Sequence, residues 1–207
     1  MLAIIQARSN SKRFKNKILY KVNGKPLLWY VYNSVKKSKL VKKIVVAISN
    51  KKLDDKVAIY LKKNNIKFKR GDLNNVAKRI FMVVKNSKSK FFIRISGDSP
   101  LIDHRIIDRA IKIHKKKKNY DLITNIFPRS FPSGQSVEII RTDILGKILK
   151  LRLDKYFYEH VTPYFYKKKI GFKIKNFTCN KNFAKKKYSI DTKRDLNSLT
   201  SLIIKSK

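Results

Sequence analysis

Short apolar, β-branched runs alternate with helical patterns through the first half of this 207-residue chain. That alternation predicts an α/β fold, a mixed and mostly parallel twisted sheet with helices on both faces. Two further observations point the same way. The runs are continuously apolar, as in strands buried on both faces. The most cationic loop of the first half leaves the end of the first run, where open α/β sheets bind ligands.

Leu2 to Gln6 begins with four apolar residues, too few for a helix, and reads as a buried strand. Gly24-Lys25-Pro26 is a turn, and Pro26 suits the first turn of a helix over 26–38. Lys43 to Ile48 is a second buried strand, Ile66 to Lys69 a weaker one, and Lys90 to Ile95 another. Helices are predicted near 54–64, 73–86 and 104–115, with Asp54 and Asp103 at helix starts. After residue 120 the pattern changes, with short strands at 121–124, 136–140, 172–177 and 188–190 and helices near 142–151, 155–167 and 193–204. Pro128, Pro132 and Gly134 punctuate a loop between the first two of these strands. No internal repeat, low-complexity linker or boundary is visible, so a single domain over 1–207 is expected.

Composition narrows the function classes. Lys and Arg total 52 against 13 Asp and Glu, a formal charge of +39, yet 43% of residues are hydrophobic, which argues against disorder. The single cysteine, Cys179, excludes an internal disulfide, and with three scattered histidines it makes no structural zinc pattern. No apolar run is long enough to span a bilayer and the apolar start is too short for a signal peptide, so a soluble, cytoplasmic protein without membrane insertion is expected. Such a charge would suit nucleic acid, but the lysines are spread over every segment and outnumber arginine nearly four to one. No specific nucleic-acid partner is therefore expected.

Arginine is the better witness in so basic a chain, because there are only 11. Arg8 and Arg13 lie with Lys12, Lys15 and Lys17 in the loop Q-A-R-S-N-S-K-R-F-K-N-K after the first strand. Cations crowded there repel one another, so a polyanion such as a triphosphate is a natural guest, although a solvated surface turn would look similar. No glycine-rich phosphate loop is present. In R-I-S-G-D-S-P (94–100), Gly97 permits a tight turn and Asp98 stands at the sheet's carboxyl edge, where it can bind Mg²⁺ or simply organise the turn. Asp191 ends Y-S-I-D before a helix, a position equally suited to a metal ligand and to an N-cap. P-S-G-Q-S-V-E puts Glu138 on a predicted strand, and Y-E-H-V-T-P puts Glu159 and His160 in a mainly aromatic helix. Either group can also be read as an ordinary polar residue of the fold.

Six stretches in order resemble the cytidylyltransferases that make CMP-activated sugar acids (acylneuraminate and Kdo cytidylyltransferase-like), especially the spore coat polysaccharide biosynthesis protein F branch. They run Gln6 to Lys17, Gly24 to Leu28, Arg94 to Asp103, Pro132 to Glu138, Glu159 to Pro163 and Asp191 to Leu196. The resemblance implies a glycosyltransferase-A-like nucleotidyltransferase fold, transfer of CMP from CTP to a nonulosonic or Kdo-like sugar acid, pyrophosphate as product, Mg²⁺, and a place in surface polysaccharide or glycan synthesis. It implies that Arg8 and Lys17 are catalytic and hold the triphosphate, with Ala7, Lys12 and Arg13 in the same loop. It places Arg70 and Arg79 at the nucleotide and Asp98 and Asp191 on the metal. Asn125, Gly134, Gln135, Glu138, Glu159 and His160 would shape the sugar pocket. A homodimer is compatible with it. Asn10 and Lys15 stand where that family usually has Gly and Pro. The weighed alternatives are a sugar-nucleotide-dependent glycosyltransferase, for which a D-x-D motif would be expected, and a basic nucleic-acid-binding module.

Overall fold

The computed structural model describes residues 1–11, 13–117, 119–167 and 171–206. Its centre is a seven-stranded sheet built from β1 (Leu2–Gln6), β4 (Lys43–Ser49), β5 (Phe68–Gly71), β6 (Phe91–Ser96), β7 (Leu122–Thr124), β8 (Glu138–Arg141) and β9 (Ile174–Asn176). The order is β5-β4-β1-β6-β8-β7-β9, and only β8 runs antiparallel to its neighbours. The predicted α/β class, with a mainly parallel sheet, is what the chain adopts.

Period-two alternation divides the sheet's apolar residues between two layers. Ala3, Ile5, Val46, Ile48, Ile93 and Ile95 face α1 (Leu27–Lys37), α2 (Asp55–Lys63) and α4 (His104–Lys116), whose Val31, Val57, Leu61 and Ile107 are fully buried. Leu2, Ile4, Val45 and Phe92 face α3 (Val76–Asn86) and α5 (Thr142–Ile148). A third cluster seats α7 (Lys193–Lys205) against Leu27 and Tyr30 of α1 and Val22 of a small hairpin, β2 (Lys21–Val22) and β3 (Lys25–Pro26). Asn23 and Gly24, both at positive φ (45° and 73°), turn that hairpin, a pair that a two-residue turn favours.

Two expectations need correction, while Asp54 stands at the N-cap of α2 as expected. No strand forms over 188–190. Tyr188 N donates to Ser133 O, while Ile190 N donates to Asp98 O, so the segment laces two different loops and has no partner strand. Gly134 makes this lacing possible, since a Cβ there would lie 2.4 Å from Ser189 N. The helix expected over 155–167 stops as α6 (Lys155–His160) and resumes as a 3₁₀ turn, Pro163–Tyr166. Thr162 keeps helical backbone angles (φ −102°, ψ −13°) ahead of Pro163, so the break lies one residue earlier. Between the two pieces Val161 adopts φ 70°, ψ −55°, closed by Thr162 N donating to His160 O at 2.8 Å, a strained γ-turn. Asp54 does not cap α2 with its side chain. Its buried carboxylate accepts from Ser9 N (2.6 Å) and Ser49 N (2.9 Å), tying together the loops that leave β1 and β4.

Candidate active site

A cleft of about 740 Å³ opens at the carboxyl ends of β1 and β6, between the loop after β1 and the end of α6. Gly97 sets its floor. A Cβ at that position would lie 2.8 Å from Gln6 O and 3.0 Å from the Ala7 Cβ, so only glycine lets β6 turn this close to β1.

Lys17 stands on a 3₁₀ turn (Lys17–Leu19) entered through Asn16 at φ 56°. Its ammonium is almost fully enclosed and donates to Ile190 O at 2.6 Å, Asp98 Oδ2 at 2.8 Å and Asp191 Oδ1 at 3.4 Å. Asp98 also accepts from Ser96 Oγ at 2.7 Å. Asp191 is flanked by Arg13 (3.5 Å) and Lys187 (3.3 Å). Burial pushes the Asp191 carboxyl up, but Lys17 and Lys187 outweigh it and leave the group below its ordinary value. Asp191 is not the N-cap of α7. Thr192 and Asp195 form a capping box, which leaves the Asp191 carboxylate facing cations.

Across the cleft Arg8 pairs with Glu159, and His160 follows it with its ring against Tyr156. Arg79 lies at the back, 2% exposed, with Nη1 donating to Asp72 O at 2.6 Å and its Nε without a partner among the described residues. Burial, then the nearby Arg8, pushes the Arg79 guanidinium down to about 10. Asn10, the family's usual glycine position, is not at positive φ, so asparagine there costs no backbone strain.

The cleft thus brings together Ala7, Arg8, Arg13, Lys17, Arg79, Asp98, Glu159, His160 and Asp191. Lys12 lies outside the described residues. Five expected site residues do not line the cleft. Arg70 pairs with Asp55 and donates to Ser49 O and Lys51 O. Asn125 is buried, bonded to Gln135 O and Val137 N, and the Gln135 side chain donates to Leu101 O. Gly134 is pressed against the 188–190 backbone. Glu138, 1% exposed, pairs with Arg94 and accepts from Tyr166 Oη at 2.9 Å.

Residue-type reasoning passed over Arg94 and Gln6, which do line the cleft. Their signal lay in period-two positions: Leu2-Ile4-Gln6 and Phe92-Arg94-Ser96 each turn polar on one face as the strand nears its carboxyl end.

A family model for cytidylyltransferases matches residues 2–206. The chain belongs to the cytidylyltransferase family. It is 28% identical to the spore coat polysaccharide biosynthesis protein SpsF of Bacillus subtilis, over all of this chain and 87% of that protein. An uncharacterised protein of Methanocaldococcus jannaschii is 33% identical over 84% of this chain and 70% of its own length. A solved cytidylyltransferase from Leptospira borgpetersenii superposes with a TM-score of 0.92 at 29% identity, over 98% of this chain and 86% of that one. A CMP:2-keto-3-deoxy-manno-octonic acid synthetase complexed with CTP shares the fold, with a TM-score of 0.77 at 16% identity, over 100% and 99% of the two chains. The family is one of nucleotidyltransferases, and the enzyme class expected from the motifs holds. Among the described residues no helix is long and apolar enough to cross a membrane.

The fold family implies a divalent cation, and the donor set suits one. Oxygens of Asp98 and Asp191 already converge on a single cationic atom, the Lys17 Nζ. Mg²⁺ takes one or two protein carboxylates and completes its shell with water and phosphate oxygens.

Proposed function

We propose that this protein transfers CMP from CTP to a sugar acid of the nonulosonic or Kdo-like class and releases pyrophosphate. The reading is carried by one observation: two carboxylates and a set of cations from three separate loops converge in one cleft of a cytidylyltransferase fold. An acceptor hydroxyl would attack the α-phosphorus, forming a new P–O bond as the bond to the β-phosphate breaks and the hydroxyl gives up its proton. Such chemistry depends on alignment and on fixed opposite charge more than on covalent help from the protein.

In this scheme Arg8 and Arg13 receive the triphosphate from opposite sides of the loop, and Lys17 holds the departing pyrophosphate. Arg8 exchanges Glu159 for phosphate oxygens as the nucleotide enters. Arg79, whose side chain lines the back of the cleft, supports the nucleotide end with its charge. Asp98 and Asp191 hold Mg²⁺, which when bound would neutralise phosphate charge. Glu159 and the adjacent His160 line the cleft, where a carboxylate and an imidazole suit the hydroxyls of an acceptor sugar. A role in surface polysaccharide synthesis is supported by the similarity to the spore coat polysaccharide biosynthesis protein of Bacillus subtilis.

The test is to incubate the purified protein with each of the four nucleoside triphosphates, Mg²⁺ and a panel of sugar acids, and to measure pyrophosphate release. CTP-dependent release with a sugar acid is expected. Turnover only with neutral sugars or sugar phosphates rejects the acceptor class, and preference for another triphosphate rejects the donor.

A further inference from the structure

We propose that Arg94 reads the carboxylate of the acceptor, and that Glu138 and Gln6 are positioning residues that hold its guanidinium toward the cleft. The inference rests on the sugar-acid reading above and names the group that recognises the acid.

Arg94 is an unusual residue for its place. It sits in the middle of β6, paired in register with Ile4 on one side and Glu138 on the other, and its neighbours on the same face are Ile4, Phe92 and Ile140. A charge buried in such a strand is costly unless paired, and packing there would be met by any aliphatic residue. The pairing is instead elaborate. Arg94 Nε donates to Gln6 Oε1 at 2.8 Å and Nη1 to Glu138 Oε2. Glu138 Oε1 accepts from Tyr166 Oη, and the Tyr166 oxygen lies 3.1 Å from Thr124 Oγ1. Both Glu138 oxygens are therefore used, and at 1% exposure the carboxylate cannot touch a ligand itself.

One nitrogen is left over. Among the described residues Arg94 Nη2 has no hydrogen-bond partner, and it is not one of the sealed-off unpartnered atoms, which are Ser9 Oγ and Arg79 Nε. Arg94 lines the same cleft as Glu159 and His160, and its spare edge is the part of the guanidinium left for a ligand. Of the other cleft cations, Arg13 and Lys17 face Asp191, Arg8 pairs with Glu159, and Arg79 is 2% exposed and bonded to Asp72 O and Leu73 O. Arg129 also lies near Glu138, which offsets part of the penalty of burying it. Arg129 itself is bonded to Pro132 O and Ser136 Oγ and does not line the cleft, so Arg94 is the guanidinium of this group that meets ligand space. A planar guanidinium held on two sides aims its remaining N–H groups in a fixed direction, which suits a carboxylate oxygen.

The experiment compares acid with amide. Initial rates are measured for 3-deoxy-manno-octulosonate and N-acetylneuraminate, each as the free acid and as the carboxamide. For Arg94→Gln, KM for the accepted acid should rise about 10- to 100-fold, the effect of losing one charged hydrogen-bond partner. CTP KM should stay within about threefold, and the preference for acid over amide should collapse. Glu138→Gln should move the same ratio less, and the double variant should match Arg94→Gln alone, because the pair acts as a unit. A preference for acid over amide that survives in Arg94→Gln overturns the proposal, as does an equal rise in both KM values. Should the single variant not fold, the double variant, in which both buried charges are gone, and Arg94→Lys decide by the same ratio. If the unmodified protein uses neither acid, the sugar-acid reading fails first and this inference falls with it.

Discussion

The two halves of the sheet reach the cleft by different means. On the β1 side, β4 and β1 are parallel and apolar on both faces for most of their length, and the edge strand β5 is short and largely exposed, so the sheet itself offers little chemistry. Charged groups there arrive on the connections beyond the strand ends: Arg8 and Arg13 on the loop after β1, Lys17 on the next turn, and Asp98 past Gly97. On the β8 side the polar groups grow from the sheet face, where Gln6, Arg94, Glu138 and Thr124 lie across four strands with Tyr166 laid over them. Loop cations can exchange partners with little cost to the fold. A network rooted in strands cannot, and it suits a site that must hold one fixed shape.

Loss of either metal-facing carboxylate should break the comparison most severely. Asp98→Asn and Asp191→Asn are each expected to lower kcat about 100- to 1,000-fold while thermal unfolding stays cooperative, the scale for a fixed charge lost from a transition-state site. Full activity in Asp98→Asn would remove the metal assignment. Chelation should have a comparable effect that added Mg²⁺ reverses.

Arg79→Met sharpens the division between the halves. It keeps the bulk and removes the charge at the back of the cleft. CTP KM should rise about tenfold, the lower end for a charged hydrogen bond, with acceptor KM nearly unchanged. Movement of both constants together would mean that the two halves are not separable.

The smallest effect concerns a residue behind the site. Asp195 caps α7 and accepts from the backbone N–H groups of Asp191 and Thr192, both at 2.9 Å. Burial favours its neutral form, but Lys187 and those N–H groups prevail and hold its carboxyl at about 2 against an ordinary 3.8. A depressed carboxyl stabilises the fold fully above its unfolded value, and that contribution is lost as pH falls toward the folded value. Asp195→Asn should therefore cost about 1 kcal/mol near neutral pH, or about 2–4 °C in Tm. Its deficit should shrink between about pH 4 and pH 2 in a pH series of thermal melts.

Much of this was legible beforehand, and the reasons for the exceptions are specific. Continuous apolar runs identified β1, β4 and β6 to within a residue or two, because burial on both faces leaves no other reading. The sequence also pointed to the loop after β1 and to Asp98 and Asp191, and Arg8, Arg13, Lys17, Asp98 and Asp191 meet in one cleft; Lys15 does not line it, and Lys12 lies outside the described residues. The 188–190 segment misled because its apolar residues are buried by packing against α1 and α7, which a strand and a tether satisfy equally. Glu138 and Gln135 misled because a polar residue beside a site and one inside it have the same letter. Only the third dimension shows that Glu138 is spent on Arg94.

Asp54 has a consequence for how such a chain can change. One carboxylate serves two strand ends through backbone N–H groups, a job that none of the many surrounding lysines can take over. Asp72 likewise holds two backbone N–H groups below α3, and Asp121 joins Lys173 N beside β9 to the Arg141 guanidinium. With 52 basic residues and 13 acidic ones, the scarce sign carries the instructions and the abundant sign is largely interchangeable. Drift that exchanges one surface lysine for another polar residue leaves this molecule legible to itself. Loss of a single acid erases a joint, and the positions where acids persist are where its shape and its chemistry are written.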